Sequence, residues 1–565
     1  MKRTFLAAPP LPLGRPNLIL TGFSATGKTT VGPVVAAALR LPFIDLDHLL
    51  EARAGRSIPQ IFASSGEASF RQMERVAVGE AARLSGTVIA TGGGAAMDQA
   101  GFAQLAKGAV VVVLTCDPEE LLARLGSSQQ RPLLTGGDGD SVAALMAERA
   151  GVYGAAGLRI DTTSRMVDKV ADEVVASYRS QVVDGPVVVR VNDGRSSYPV
   201  VVGPGALHTL GSVVRAELPR ARRAVVISDS AVAADTGAAA ASSLRKAGLE
   251  LSELTTPPGE ASKRIEVVAG LWDRLTDLGI DRQDLIVAVG GGAALDAIGF
   301  AAATFARGLP VVNVPTTLLA MADAAVGGKV AIDHGGSKNS VGSFHQPCLV
   351  LADPELLSTL PDPVLRQGMA EILKGAVLAS PLILEICQEH RGEGPLADGS
   401  WLVEQAVRLK AAYVEADPED RSVRQALNLG HTFAHGLEAA SDYSISHGDA
   451  VAVGLVAAAE LGGRLELSPP DLGRKLAGLL SIFGLPAAAP EGLDPARVRR
   501  ALLTDKKRRS GEAVFVVPRA GGGAELVAGL DLDWALESLW GSGVEPGIRT
   551  PLKSASAGAG EGQGR

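Results

Sequence analysis

Leu18–Thr30 reads LILTGFSATGKTT, and the fold of the first third of the chain follows from it. Three apolar residues predict a short buried strand. The pattern GxxxxGK[ST] that follows (Gly22, Gly27, Lys28, Thr29) predicts a glycine-rich turn opening directly into a helix. Glycines let backbone N–H groups converge on phosphate oxygens, and Lys28 reaches the terminal phosphates. The Thr29 hydroxyl offers a ligand to Mg2+, Thr30 adds a second hydroxyl beside it, and the helix contributes its positive N-terminus. A nucleoside triphosphate is the expected ligand, on a parallel sheet.

Outward from that loop, TVIA (87–90) and VVVVL (110–114) are further strand candidates separated by amphipathic helical stretches, the rhythm of βαβ units. Asp45 and Asp47 end the strand in FIDLD, where one carboxylate can hold a Mg2+ water and the other can take a proton. GEASFRQME places Arg71 on a helix, TGGG supplies Gly92, Gly93 and Gly94 after a strand, RPLL puts Arg131 in a lid, and ERAGVY supplies Arg149. Taken singly, each arginine is an ordinary surface residue. In this order the segments resemble shikimate kinase over about residues 16–180. The resemblance implies that Asp47, Arg71, Gly93 and Arg149 bind shikimate, with both guanidinium forks on its carboxylate. It also implies that Arg131 closes over ATP together with the lid, that Arg124 is a further lid-region arginine, and that Thr29 and Asp45 serve Mg2+.

A polar stretch near QVVDGP (181–186) marks a boundary, and a second α/β run follows, with strands near AVVI (224–227), LIVAV (285–289), PVVNV (310–314) and CLVLA (348–352). LIVAVGGGAALD is strand, glycine turn and helix, flanked by TPPGEASK (Glu260, Lys263) and PTT (Thr316, Thr317). MADAAVGGKVAIDHGGSKN concentrates Asp323, Lys329, Lys338 and Asn339 beside glycine-rich turns, which suits a phosphorylated anionic substrate. From about Pro361 the pattern is helical, with a late hairpin at AVFVV (513–517) and AELVA (524–528). Glu371 and Lys374 lie on one face of an apolar helix, so that face points inward and its charges need a reason. Beyond them come Arg424, Asn428, His431, His435 and His447. HTxxH lacks the glutamate base of a zincin, yet two histidines and a carboxylate make a catalytic metal site. Spacing leaves two sets open: His431 and His435 with an acid, or His431 and His447 with an acid.

GGGAALD, PTTLLA, VGGK, SKN, AEILKG, LNLGHTFAHGLE, HGDAV and DKK together resemble 3-dehydroquinate synthase over about residues 186–545. That resemblance implies Glu371, His431 and His447 as ligands of Zn2+ or Co2+, with His435 an acid/base and phosphate contact instead. It implies NAD+ on Asp229, Glu260, Lys263, Gly291, Gly292, Asp296, Thr316 and Thr317, with Lys338 between the nucleotide and the substrate. Substrate is expected at Asp323, Lys329, Asn339, Lys374, Lys410, Arg424, Asn428, His435 and Lys506 or Lys507, with Lys329 and Lys374 catalytic alongside His435. Arg307 matches an arginine donated across a homodimer interface. The implied reaction oxidises a substrate hydroxyl, eliminates phosphate, returns the hydride and closes a carbocycle by an aldol step. Departures from the pattern are Ala231, Met321, Ala324, Ala325 and Asp449, none at an expected ligand.

The expected class is therefore α/β: a P-loop kinase domain at 1–180, an NAD-binding α/β domain at 186–360, a mainly helical metal- and substrate-binding domain at 361–545, and a disordered tail at 546–565. The expected function is a shikimate-pathway enzyme carrying kinase and cyclase. The alternatives for the second half are another sugar-phosphate cyclase, a polyol dehydrogenase or a catalytically silent scaffold. A net charge of −8 argues against nucleic acid as partner. Three scattered cysteines suit a reducing compartment and exclude a thiolate zinc site. Pro9, Pro10 and Pro12 break the short apolar run after Lys2 and Arg3, and no run reaches membrane-spanning length, so a cytoplasmic protein without membrane partners is expected.

Overall fold

A computed structural model describes residues 1–125, 146, 149, 153, 156–183, 185–391, 399–508 and 513–540, with backbone alone at 504–508. The chain forms two compact units. One contains Pro9–Leu365 and Ser380–Glu419. The other contains Met1–Ala8, Arg366–Ala379 and the described residues from Asp420 on.

The larger unit holds two sheets that position sites. The first is parallel, in the order Phe43–Asp45, Val88–Ala90, Leu18–Thr21, Val110–Thr115, Leu158–Asp161. Strand Leu18–Thr21 is buried throughout, as a strand with helices on both faces must be, and runs into the helix Lys28–Leu39. Its core joins Leu18, Leu20, Val31, Val35, Val88, Val112 and Val174.

The second sheet has seven strands, in the order Glu250–Thr256, Arg223–Asp229, Leu285–Gly290, Val311–Pro315, Leu349–Ala352, Ser197–Val202, Val187–Asn192. All neighbours are parallel except the last pair. Strand ends therefore gather the turns after Asp229, Thr256, Gly290 and Pro315 at one edge, where parallel sheets bind ligands. The glycine-rich stretch after Gly327 is an antiparallel hairpin, Lys329–His334 with Ser337–Phe344, whose second strand is largely exposed.

Within this unit the helix Ser400–Ala416 is buried along most of its length and carries polar groups toward the segments flanking the phosphate-loop sheet. Trp401 and Gln405 donate to the Ser85 carbonyl at 2.8 and 3.0 Å, and Arg408 donates to the carbonyls of Pro12 and Arg83 at 2.8 and 3.0 Å. Glu404 accepts from the Arg15 amide at 2.7 Å and from the Ser85 hydroxyl. Burial pushes the Arg408 guanidinium down to about 10, with Glu404 pulling the other way.

The smaller unit is mainly helical. It contains helices His431–Ala440, His447–Arg464 and Leu472–Ile482, most of Asp362–Ala379, and a three-stranded antiparallel sheet ordered Lys2–Leu6, Ala524–Ala528, Val514–Pro518. The hairpin was expected from the short apolar runs AVFVV and AELVA. The third strand, Lys2–Leu6, was not: its partner is more than five hundred residues away, and no local pattern encodes such a pairing.

Candidate functional site

In the phosphate loop Gly22 (φ 136°) and Gly27 (φ 98°) take backbone conformations that only glycine adopts without strain. They wrap the loop so that the buried Lys28 ammonium donates to the carbonyls of Gly22 and Phe23, at 2.9 and 2.7 Å. Thr29 donates to Asp45 at 2.7 Å, and the other Asp45 oxygen caps the helix Leu46–Ala54 through the amides of Asp47 and His48. A hydroxyl and a carboxylate thus converge beside the phosphate loop.

The TGGG turn gathers the rest. A Cβ at Gly92 would stand 2.5 Å from an Asp47 carboxylate oxygen, and one at Gly94 would stand 2.8 Å from the Arg71 guanidinium. The Gly93 carbonyl accepts from Arg149 at 3.1 Å and from Tyr153 at 2.6 Å. Asp47, Arg71, Gly93 and Arg149, spread over more than a hundred residues of sequence, are therefore neighbours. Arg71 pairs with Glu74 at 2.7 Å and Glu67 at 3.4 Å; burial opposes its charge, but these partners outweigh it and raise its pKa. Arg124 bonds Glu120 and Thr162. Arg131 lies outside the described residues, as does the tail 546–565.

At the edge of the seven-stranded sheet, Asp229 accepts from the amides of Ala231 and Gly259 at 2.9 and 3.2 Å. It thereby ties its own turn to the Gly259–Lys263 turn that carries Glu260. Gly291 precedes the helix Gly292–Thr304, whose N-terminus faces the same edge, and the Thr316 amide donates to the Gly290 carbonyl at 2.9 Å. Thr317 accepts from the Ala320 amide at 3.2 Å. The buried Lys263 pairs with Asp296 at 2.6 Å and also donates to Asn339. Burial pushes the Asp296 carboxyl up to about 6, with Lys263 drawing it back. Asn339, expected with the substrate set, stands against Lys263, a member of the nucleotide set. Lys329 and Lys338 are exposed on the hairpin, Arg307 is exposed after the helix Gly292–Thr304, and Asp323 pairs with Lys410.

In the smaller unit Glu371, His431 and His447 come together, with one potential ligand atom from each lying within 4.8 Å of the others. Glu371 Oε1 is 3.6 Å from His431 Nε2 and 3.9 Å from His447 Nε2. Both histidines are the first residues of their helices. Gly430 (φ 79°) turns the chain into the first, and Ser446 caps the second through the Asp449 amide at 3.2 Å. His431 Nδ1 is 3.3 Å from the Leu429 carbonyl and His447 Nδ1 is 3.4 Å from Glu438. Each ring thus turns Nε2 toward Glu371. Burial, then Lys374, His447 and His435, hold His431 well below the usual histidine range. Burial opposes charge on His447 too, but Glu438 and Glu371 raise its pKa overall. The ring of His435 lies 5.7 Å from that of His431, outside the triad. Lys374 is buried against Glu371, Arg424 is buried in the turn Val423–Asn428, and Asn428 ends that turn. Lys506 and Lys507 lie on the helix Pro495–Arg508, at positions where side chains are not described.

Sequence models of three families match: shikimate kinase at residues 24–179, the 3-dehydroquinate synthase N-terminal domain at 253–367 and its C-terminal domain at 368–508. The 3-dehydroquinate synthase of Symbiobacterium thermophilum is 41% identical over 360 residues, 61% of this chain and 99% of that protein. The chain belongs to the 3-dehydroquinate synthase family. It also carries a shikimate kinase domain, so it is a kinase and a synthase of the shikimate pathway. Two solved structures resemble the 3-dehydroquinate synthase part. One is 2-epi-5-epi-valiolone synthase of Streptomyces hygroscopicus with NAD+ and Zn2+ (27% identity, TM-score 0.56, covering 61% of this chain and 96% of that one). The other is 2-deoxy-scyllo-inosose synthase with carbaglucose-6-phosphate, NAD+ and Co2+ (26% identity, TM-score 0.55, covering 60% and 96%).

Three residues around these sites escaped the sequence reading. Glu438 holds His447, and its signal was present: it stands seven residues after His431, on the same face of one helix. Tyr153 holds Gly93 and Glu74 holds Arg71; Tyr153 falls inside ERAGVY, which named Arg149, and Glu74 inside GEASFRQME, which named Arg71. Among the described residues no helix is long and apolar enough to cross a membrane.

Proposed function

We propose that the chain catalyses two reactions. One transfers the terminal phosphoryl of ATP to shikimate, giving 3-phosphoshikimate. The other cyclises 3-deoxy-D-arabino-heptulosonate 7-phosphate to 3-dehydroquinate with release of phosphate. In the first, Lys28 and the loop Gly22–Thr29 hold the phosphates, Thr29 and Asp45 hold Mg2+, and Arg131 closes over ATP. Asp47 takes the hydroxyl proton while Arg71 and Arg149 grip the carboxylate. The grouping of Asp47, Arg71 and Arg149 around Gly92–Gly94 supports this reading.

The second reading rests on one observation above all: Glu371, His431 and His447 present convergent ligand atoms, with each histidine's other nitrogen turned to Glu438 or to a backbone carbonyl. That donor set fits Zn2+ or Co2+ with a position left open for substrate. When bound, metal and NAD+ supply Lewis acidity at the substrate hydroxyls and a reversible hydride acceptor. Asp229, Glu260, Lys263, Gly291, Asp296, Thr316 and Thr317 hold the nucleotide at the ends of parallel strands. Lys329, Lys374, Lys410, Arg424, Asn428 and one of Lys506 and Lys507 bind the acid phosphate, and His435 moves a proton near it. Identity of 41% to a dehydroquinate synthase, against 26–27% to the two other cyclases, favours this product over theirs. The enzyme acts in the cytoplasm as a homodimer to which Arg307 contributes across the interface.

Phosphate release from the sugar acid phosphate, with no NADH accumulating, is the expected result; NADH formed in proportion to product would point to a polyol dehydrogenase. Lys28→Ala should abolish ATP-dependent phosphorylation of shikimate and leave phosphate release intact. Loss of both in a folded variant would argue against independent sites.

A further inference from the structure

Strand Lys2–Leu6 precedes the phosphate loop in sequence, yet its hydrogen-bonding partner belongs to the synthase part. It pairs antiparallel with Ala524–Ala528, in register from Lys2 opposite Ala528 to Leu6 opposite Ala524. Arg3 approaches Glu525 at 4.0 Å, and the Arg519 guanidinium lies over the Phe5 ring at 4.7 Å. A Cβ at Gly523 (φ 76°) would stand 2.7 Å from the Leu6 carbonyl, so the turn before the partner strand is shaped to admit it. The strand lies outside all three family matches.

The sheet it completes is next to the chemistry. Thr432, beside His431, donates to the Val514 carbonyl at 2.8 Å, and Phe433 packs on Phe515 with ring centres 5.1 Å apart. The Gly523 amide donates to Leu378, on the helix that carries Glu371, at 2.9 Å. The turn Val423–Asn428, with Arg424 and Asn428, packs on all three strands. Without residues 2–6, Ala524–Ala528 would be an open edge, its backbone groups unpaired on one side. Four of the five side chains on Lys2–Leu6 are exposed, so the strand acts mainly through its ladder and little through core area.

We infer that Lys2–Leu6 is a positioning element of the synthase: it closes the sheet beneath Val423–Asn428 and so holds Arg424 and Asn428 in place. The kinase sequence therefore lies between this strand and the sheet that the strand completes. The kinetic part of this inference rests on the substrate reading of Arg424 and Asn428; the pairing itself does not.

Adjacent amides of an edge strand point in opposite directions, so only one of Arg3→Pro and Thr4→Pro removes a ladder donor. In the full-length, metal-loaded chain, that one variant, and likewise deletion of residues 2–6, should lose hydrogen-exchange protection at 524–528 and 423–428. Its KM for the sugar acid phosphate should rise several-fold with kcat nearly kept, and shikimate phosphorylation should be unchanged. The other proline variant should match the parent. Unchanged protection in both variants and in the deletion would overturn the pairing. Lost protection with unchanged KM would overturn the positioning role. A parent chain without cyclase activity would sink the substrate reading instead, and the exchange result would stand apart from it.

Discussion

The ring of His447 has two nitrogens, and the fold gives each a different neighbour: Nδ1 faces Glu438 at 3.4 Å and Nε2 faces Glu371 at 3.9 Å. A carboxylate on the far nitrogen fixes the tautomer and makes the near one a better donor. Glu438→Gln keeps the shape but weakens that effect, so metal affinity should fall about 10–100-fold, with the fold intact by circular dichroism. His435→Ala should keep the metal and lose turnover, because His435 stands outside the triad; metal loss in that variant would return it to the ligand set. Titration of each variant with Zn2+ under a competing chelator separates these outcomes. At this scale the sequence was legible in residue types. His431, His435 and His447 were visible in one short stretch, but spacing admitted two ligand sets. The resemblance of the surrounding motifs pointed to the set with Glu371, sixty residues upstream, a proximity that spacing alone does not carry.

Among the elements, helix contacts made of glycine bring the ligands together. A Cβ at Gly448 would stand 2.5 Å from the Gln367 backbone, on the helix that carries Glu371, and one at Gly454 would stand 2.2 Å from the Gly430 carbonyl, just before His431. Backbone atoms cannot step aside as a side-chain tip does, so Gly448→Ala must push two helices apart. A cost of about 1–3 kcal/mol is expected, read as a lower unfolding midpoint in urea, together with weaker metal binding. Unchanged values for both would mean the helices shift freely and the glycine contact does not set the triad. Elements were legible where their signal is local. The strand Leu18–Thr21 with its loop, and the seven-stranded sheet's LIVAV and PVVNV, are apolar runs bounded by turn residues. The hairpin Lys329–Phe344 hid behind glycines because its second strand is exposed on nearly every residue, so no apolar alternation marks it. Strand Lys2–Leu6 hid for the other reason, a partner at the far end of the chain.

At the scale of the whole molecule, the phosphate loop and the candidate metal ligands fall in different compact units. The phosphate loop and Asp45 lie in the unit containing Pro9–Leu365, and Glu371, His431 and His447 lie in the unit containing Arg366–Ala379 and residues from Asp420 on. A ligand stabilises the cooperative unit that binds it, by RT ln(1 + [L]/Kd), or about 2.7 kcal/mol at a hundredfold excess over Kd. A chain of two units need not unfold in one step. Calorimetry of the full chain should therefore show Zn2+ raising one transition by several degrees, and Mg2+ with ATP raising the other. The buried contacts of Trp401, Glu404, Gln405 and Arg408 with residues 12–15 and 83–85 argue that the kinase fold and the helix Ser400–Ala416 melt together. Arg408→Met tests that: it removes donors to two carbonyls, so it should lower the ATP-responsive transition and leave the zinc-responsive one in place. If zinc and ATP each moved both transitions equally, the two units would unfold as one cooperative body, and the separation of the phosphate loop from the metal ligands into independently melting units would fail.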